Sequence, residues 1–129
     1  MRKKVVVLGA GMVGRAMAID LSQQNDVLSV DRDQQALALL GNHSNLTTTQ
    51  ADLGDASAVT HVIADADIVV GAVPGFMGFR TLETVIRAGK NIVDISFFSE
   101  DPFELDALAK AKGVIAVMDA GVAPGMSNI

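Results

Sequence analysis

"VVVLGAGMVGRAMAIDL", residues 5–21, decides how this chain is read. Three valines and Leu8 run into three glycines, Gly9, Gly11 and Gly14, followed by apolar residues at helical spacing. A short apolar run closed by glycine reads as a strand buried on both faces. Ala16, Ala18, Ile19 and Leu21 read as the inner side of a helix. The pattern G-x-G-x-x-G is weak alone and informative between a strand and a helix. There Gly9 permits a sharp turn, Gly11 leaves room for a pyrophosphate, and Gly14 lets the helix pack closely. The helix start then offers N–H groups and a partial positive charge to phosphate. The alternative is a tight glycine turn with no ligand.

A dinucleotide site also needs an acid about 20 residues on, at the end of the second strand. Asp31 closes "DVLSVD", residues 26–31. Its carboxylate can accept the adenosine ribose hydroxyls and would repel a 2′-phosphate, which favours NAD over NADP. Arg32, beside it, could stack on adenine or pair with a 2′-phosphate, so NADP stays open. Asp52, after the third strand, is placed either at the adenine edge or in a turn. Val73 and Pro74, after the fourth, either line the path to the nicotinamide or simply lead out of the strand. Asp94 and Asp119 end the fifth and sixth strands, where open parallel sheets bind ligands. Both are candidate catalytic carboxylates, with turn or capping roles as the alternative.

Working outward, apolar runs alternate with amphipathic stretches. Strands are expected over 3–9, 26–31, 45–52, 67–75, 91–96 and 114–121. Helices are expected over 14–24, 33–42, 55–66, 79–89 and 101–113, with Asp33, Asp55 and Asp101 as N-caps and Gly41 and Gly89 as stops. The polar third strand suits an edge. This order predicts an α/β, doubly wound Rossmann domain with a six-stranded parallel sheet in the order 3-2-1-4-5-6. One domain is expected over 1–129. The ending "APGMSNI" reads as the start of a further, substrate-binding domain belonging to a longer protein.

Composition narrows the class. A net charge of −5 with no basic stripe argues against nucleic acid. No apolar run approaches the roughly 18 residues of a membrane helix. Cysteine is absent, which removes disulfides and thiolate chemistry and suits the cytoplasm. His43 and His61 lack carboxylate neighbours at metal-ligand spacing, so no metal is expected.

Three stretches carry a family resemblance: residues 7–21, "AVPGFMGFRTLETVIRAGKNIVDIS" at 72–96, and "DAGVAPGMSNI" at 119–129. Together they resemble the N-terminal domain of the saccharopine dehydrogenase-like oxidoreductases. That group includes saccharopine reductases, lysine 6-dehydrogenases and carboxynorspermidine synthases. The segment from Gly121 to Asn128 is the specific one and is closest to the last two branches. The fungal saccharopine reductases carry an L-D-P-G-I-D-H version that this chain lacks, which argues against saccharopine itself as substrate. The resemblance implies NAD(P)-dependent chemistry at a C–N bond of an amino acid. It maps cofactor contacts onto Gly9, Gly11, Met12, Val13, Asp31, Val73 and Pro74. The resemblance implies that the substrate is recognised through the missing domain, through which family members often pair as homodimers. The competing expectation is a nucleotide-sensing module of the kind that gates potassium transport. Such modules share the glycine turn and the acid but perform no chemistry. A methyltransferase using S-adenosylmethionine is weaker, because no final antiparallel hairpin strand is evident.

Overall fold

Val5 and Val7 point to one side of their strand, Val6 and Leu8 to the other, and all four are buried. A strand apolar on both sides must be central, with helices packed on each face. The computed structural model describes residues 2–95 and 106–118 and shows this arrangement. The chain runs β1 (Lys4–Leu8), α1 (Met12–Leu21), β2 (Asp26–Asp31), α2 (Gln34–Ala38), β3 (Leu46–Gln50) and α3 (Ala56–Val62). It continues with β4 (Ile68–Gly71), α4 (Gly75–Arg87), β5 (Ile92–Asp94), α5 (Asp106–Lys112) and β6 (Ala116–Met118).

The six strands form one sheet in the order β3-β2-β1-β4-β5-β6. All five pairings are parallel. The expected order is therefore the observed one. Val5, Val7, Val27 and Val70 meet Ala18 of α1 and Leu37 of α2 on one face. Val6, Leu8, Val69 and Ile92 meet Val59 of α3, Leu82 and Val85 of α4, and Ala109 of α5 on the other. Both faces of the sheet are thus covered by helices from successive crossovers, as doubly wound domains require.

Asp33 and Asp55 cap their helices as expected, accepting from the N–H groups of Gln35 and Ser57. Gly41 and Gly89 stop theirs with φ of 70° and 78°. Most elements are shorter than the sequence expectation, and two helix starts move in ways that bear on the cleft. Helix α1 begins at Met12, inside the glycine motif, because Gly11 adopts the extended N-cap conformation. Helix α4 begins at Gly75, with Pro74 at its N-cap, so β4 ends at Gly71 and the expected strand over 67–75 is shortened. Proline lacks an N–H and cannot extend the ladder, while its fixed φ suits a helix entrance. The expected cap at Asp101 and the motif at 119–129 lie outside the described residues.

Candidate functional site

Gly9 follows Leu8 with φ at 108°, a conformation that side chains resist. Its N–H donates to the Val30 carbonyl at 2.7 Å, which ties the turn to β2. A Cβ on Gly9 would stand 2.4 Å from the Ala72 carbonyl oxygen, and one on Gly14 would stand 2.2 Å from the Gly9 oxygen. These two glycines are required by backbone packed against backbone. The missing side chain of Gly14 thus serves contact with the turn itself, more than contact between helix and sheet.

Gly11 is different. Its φ of −69° is ordinary, and a Cβ there would meet nothing within 4 Å. The fold does not need glycine at this position; the space it leaves opens on a cleft. Helix α1 starts here with no side-chain cap hydrogen bond and no acid in its first turn. The first N–H groups of a helix have no intrahelical acceptor. Here no side chain caps one of them, and the first turn carries no acid of its own.

Asp31 crosses to this turn from the end of β2. Its Oδ2 accepts from the Ala10 N–H at 2.7 Å and its Oδ1 from the Asp33 N–H at 2.8 Å. Two backbone donors therefore hold the carboxylate in one rotamer beside the glycine loop. Arg32 stands next to it on the same cleft wall. Asp52 follows β3, and its Oδ1 accepts from the Gly54 N–H at 2.9 Å, so it both shapes a turn and faces the cleft. Val73 is buried and Pro74 exposed where β4 passes into α4.

One cleft of about 1390 Å³ is lined by Gly9, Gly11, Met12, Val13, Gly14, Asp31, Arg32, Asp52, Val73 and Pro74. All ten residues singled out for the cofactor are thus brought together. The cleft lies beyond the carboxyl ends of β1, β2, β3 and β4, across the point where the strand order reverses. Its volume exceeds the roughly 300–1,000 Å³ of a drug-sized pocket and suits a longer ligand. Met12 is 80% exposed and Val13 58%, at the mouth of the glycine loop.

Asp94 is not on this wall. It ends β5 as expected, but the pleat turns its side chain toward the α4 and α5 layer, on the same side as Ile92. It is wholly buried there. A Cβ on Gly71 would lie 3.2 Å from its Cγ, so Gly71 provides the room it occupies. Asp119, the other candidate carboxylate, lies outside the described residues. Sequence reasoning missed the contribution of α4, whose Met77, Arg80, Thr81 and Thr84 line the cleft. Their spacing signals only a helix side; its position against the cleft comes from packing. No helix among the described residues is long and apolar enough to cross a membrane.

Residues 5–117 match the model of the saccharopine dehydrogenase NADP-binding domain. The chain therefore belongs to that family, and it is a nicotinamide-dinucleotide-binding domain of oxidoreductase type. It is 28% identical to the glutamate-forming, NADP(+) saccharopine dehydrogenase of Saccharomyces cerevisiae, over all of this chain and 29% of that protein. The solved apo structure of the yeast enzyme superposes with a TM-score of 0.81 at 27% identity, covering 97% of this chain and 28% of that one. GenD2 of gentamicin A biosynthesis, solved with NAD, superposes at a TM-score of 0.70 and 25% identity, covering 91% of this chain and 34% of the other. A shorter likeness, 35% identity over 67 residues, joins 52% of this chain to 16% of a Trk potassium uptake protein, the TrkA homologue 1 of Methanosarcina mazei. The chain spans less than a third of the length of the saccharopine dehydrogenase that it matches.

Proposed function

We propose that this chain is the cofactor-holding part of an oxidoreductase that acts on a C–N bond of an amino acid, with NAD as the preferred cofactor. The observation that carries the reading is the open space at Gly11 beside uncapped helix N–H groups, with Asp31 fixed one strand away. The N–H groups of Met12, Val13 and Gly14 would hold the pyrophosphate. Asp31 would accept the ribose hydroxyls, Asp52 would stand near the adenine edge, and Val73 and Pro74 would border the nicotinamide. When bound, the nicotinamide would supply hydride exchange with an amine or imine carbon. The chain's own share is to bind, orient and leave one ring face open to substrate.

NAD is preferred because a 2′-phosphate would bring its charge against the Asp31 carboxylate, which two backbone donors prevent from swinging aside. The yeast relative is named for NADP(+), so this preference is a specific point of divergence. Residues 1–129 would form one domain, and a further domain would recognise the amino acid, in a cytoplasmic, homodimeric enzyme of which lysine and saccharopine are the first substrates to offer. A ligand at a hundred times its Kd stabilises the folded state by about 2.7 kcal/mol, roughly 10 °C for a chain of this size. NADH is expected to raise the melting temperature by that order and NADPH by less. Equal shifts would remove the NAD preference, and no shift with either would remove the dinucleotide reading.

The potassium uptake likeness supports a second reading, a nucleotide-sensing module without chemistry. Full-length protein given NAD with lysine, saccharopine and a broad amino-acid panel separates the two. Appearance of NADH absorbance supports the enzyme; silence across the panel together with tight dinucleotide binding supports the sensor.

A further inference from the structure

Gln50 lies outside the cleft lining, yet it holds the loop that carries the cleft's acid. It closes β3 opposite Asp31, and the Ala51 N–H donates to the Asp31 carbonyl at 3.0 Å. The Gln50 side chain reaches back across this edge, and its Nε2 donates to the Arg32 carbonyl at 2.9 Å. The same peptide unit has its N–H, that of Asp33, donated to Asp31 Oδ1 at 2.8 Å. One peptide plane is therefore pinned at both ends, by Gln50 on its oxygen and by Asp31 on its nitrogen. Turning it over would aim the Arg32 carbonyl oxygen at the Asp31 carboxylate, two acceptors facing each other, and would release the carboxylate from one of its two donors.

We infer that Gln50 is a positioning residue for cofactor discrimination. By fixing the peptide between Arg32 and Asp33, it keeps the Asp31 carboxylate aimed at the ribose 2′-position, where a phosphate would be repelled. Without the Gln50 amide, the peptide gains a second orientation, Asp31 gains rotamers that relieve the repulsion, and NADPH is admitted more readily. Arg32, carried on the same peptide, gains the same freedom and would move toward the added phosphate.

This inference rests on the proposed dinucleotide site, and the experiment separates the two. Dissociation constants for NADH and NADPH are measured with the wild-type protein, Gln50→Met, Asp31→Ala and the double variant. Methionine matches glutamine in length and lacks the donor. The ratio of the NADPH to the NADH constant is expected to fall roughly fivefold in Gln50→Met, the size one neutral hydrogen bond supports. In the Asp31→Ala background the same change is expected to leave the ratio unaltered, because there is no carboxylate left to aim. An unchanged ratio in Gln50→Met, or an equal fall in both backgrounds, overturns the role of Gln50 while the site stands. Failure of the wild-type protein to bind either dinucleotide overturns the site and the inference with it. Gln50→Thr, which suits an edge strand, carries the same expectation if the methionine variant folds poorly. A purely structural role would lower the melting temperature without moving the ratio.

Discussion

Gly11 and Gly14 share a motif and differ in physical task, which mutation can separate. A Cβ at Gly11 would meet nothing within 4 Å, and the position opens on the cleft. Gly11→Val is expected to cost at most about 1 kcal/mol, the scale of losing a favourable N-cap residue. It should nevertheless weaken NADH binding at least roughly a hundredfold, since the side chain occupies the phosphate position. Calorimetry and thermal melting on one sample check both halves. Gly14→Ala places its Cβ 2.2 Å from the Gly9 oxygen, with no flexible group to yield. It should destabilise the fold by about 1–3 kcal/mol, the usual cost of overpacking, or more. Ser29 makes the opposite case. It is wholly buried in β2, and among the described residues its Oγ has no hydrogen-bond partner. Ser29→Ala removes an unpaired hydroxyl from the apolar layer under α1 and α2. Denaturant unfolding should show about 1 kcal/mol of added stability.

The elements are short, and their ends are held by specific groups. Helices α2 and α3 have 5 and 7 residues, too few to persist on propensity alone. Asp33 and Asp55 each satisfy one N–H at their start. Asp55→Ala should cost about 1 kcal/mol in urea unfolding with an unchanged slope. Asp33→Ala should cost the same and also affect binding, because Asp33 lines the cleft. Both caps were legible from an acid standing just before an apolar period. The start of α4 was less legible. Pro74-Gly75 reads equally as the end of a strand or the mouth of a helix, and the choice depends on β4 having ended at Gly71.

Across the whole molecule, the cleft spans both halves of the sheet, so a bound dinucleotide should tie them together. Hydrogen exchange with NADH should slow at residues 9–15, 31–33, 52–54 and 72–75 together. Ile115 and Val117, exposed at the far edge, should change little. Protection confined to one half would contradict a ligand lying across the reversal of strand order. At this scale the division of labour is clear. The sequence by itself determined the succession of strands and helices along the chain and the glycine–acid pair, because burial on both faces, 2.0 and 3.6 periodicities and turn chemistry are local signals; the strand order followed from the doubly wound class that this alternation implies. Only the tertiary structure decided that Gly14 packs against the Gly9 carbonyl, that Asp94 turns inward under Gly71, that α4 lines the cleft and that Gln50 holds the peptide between Arg32 and Asp33. Those outcomes depend on which backbone passes within a few ångströms of which, and residues far apart in the chain have no local pattern that records it.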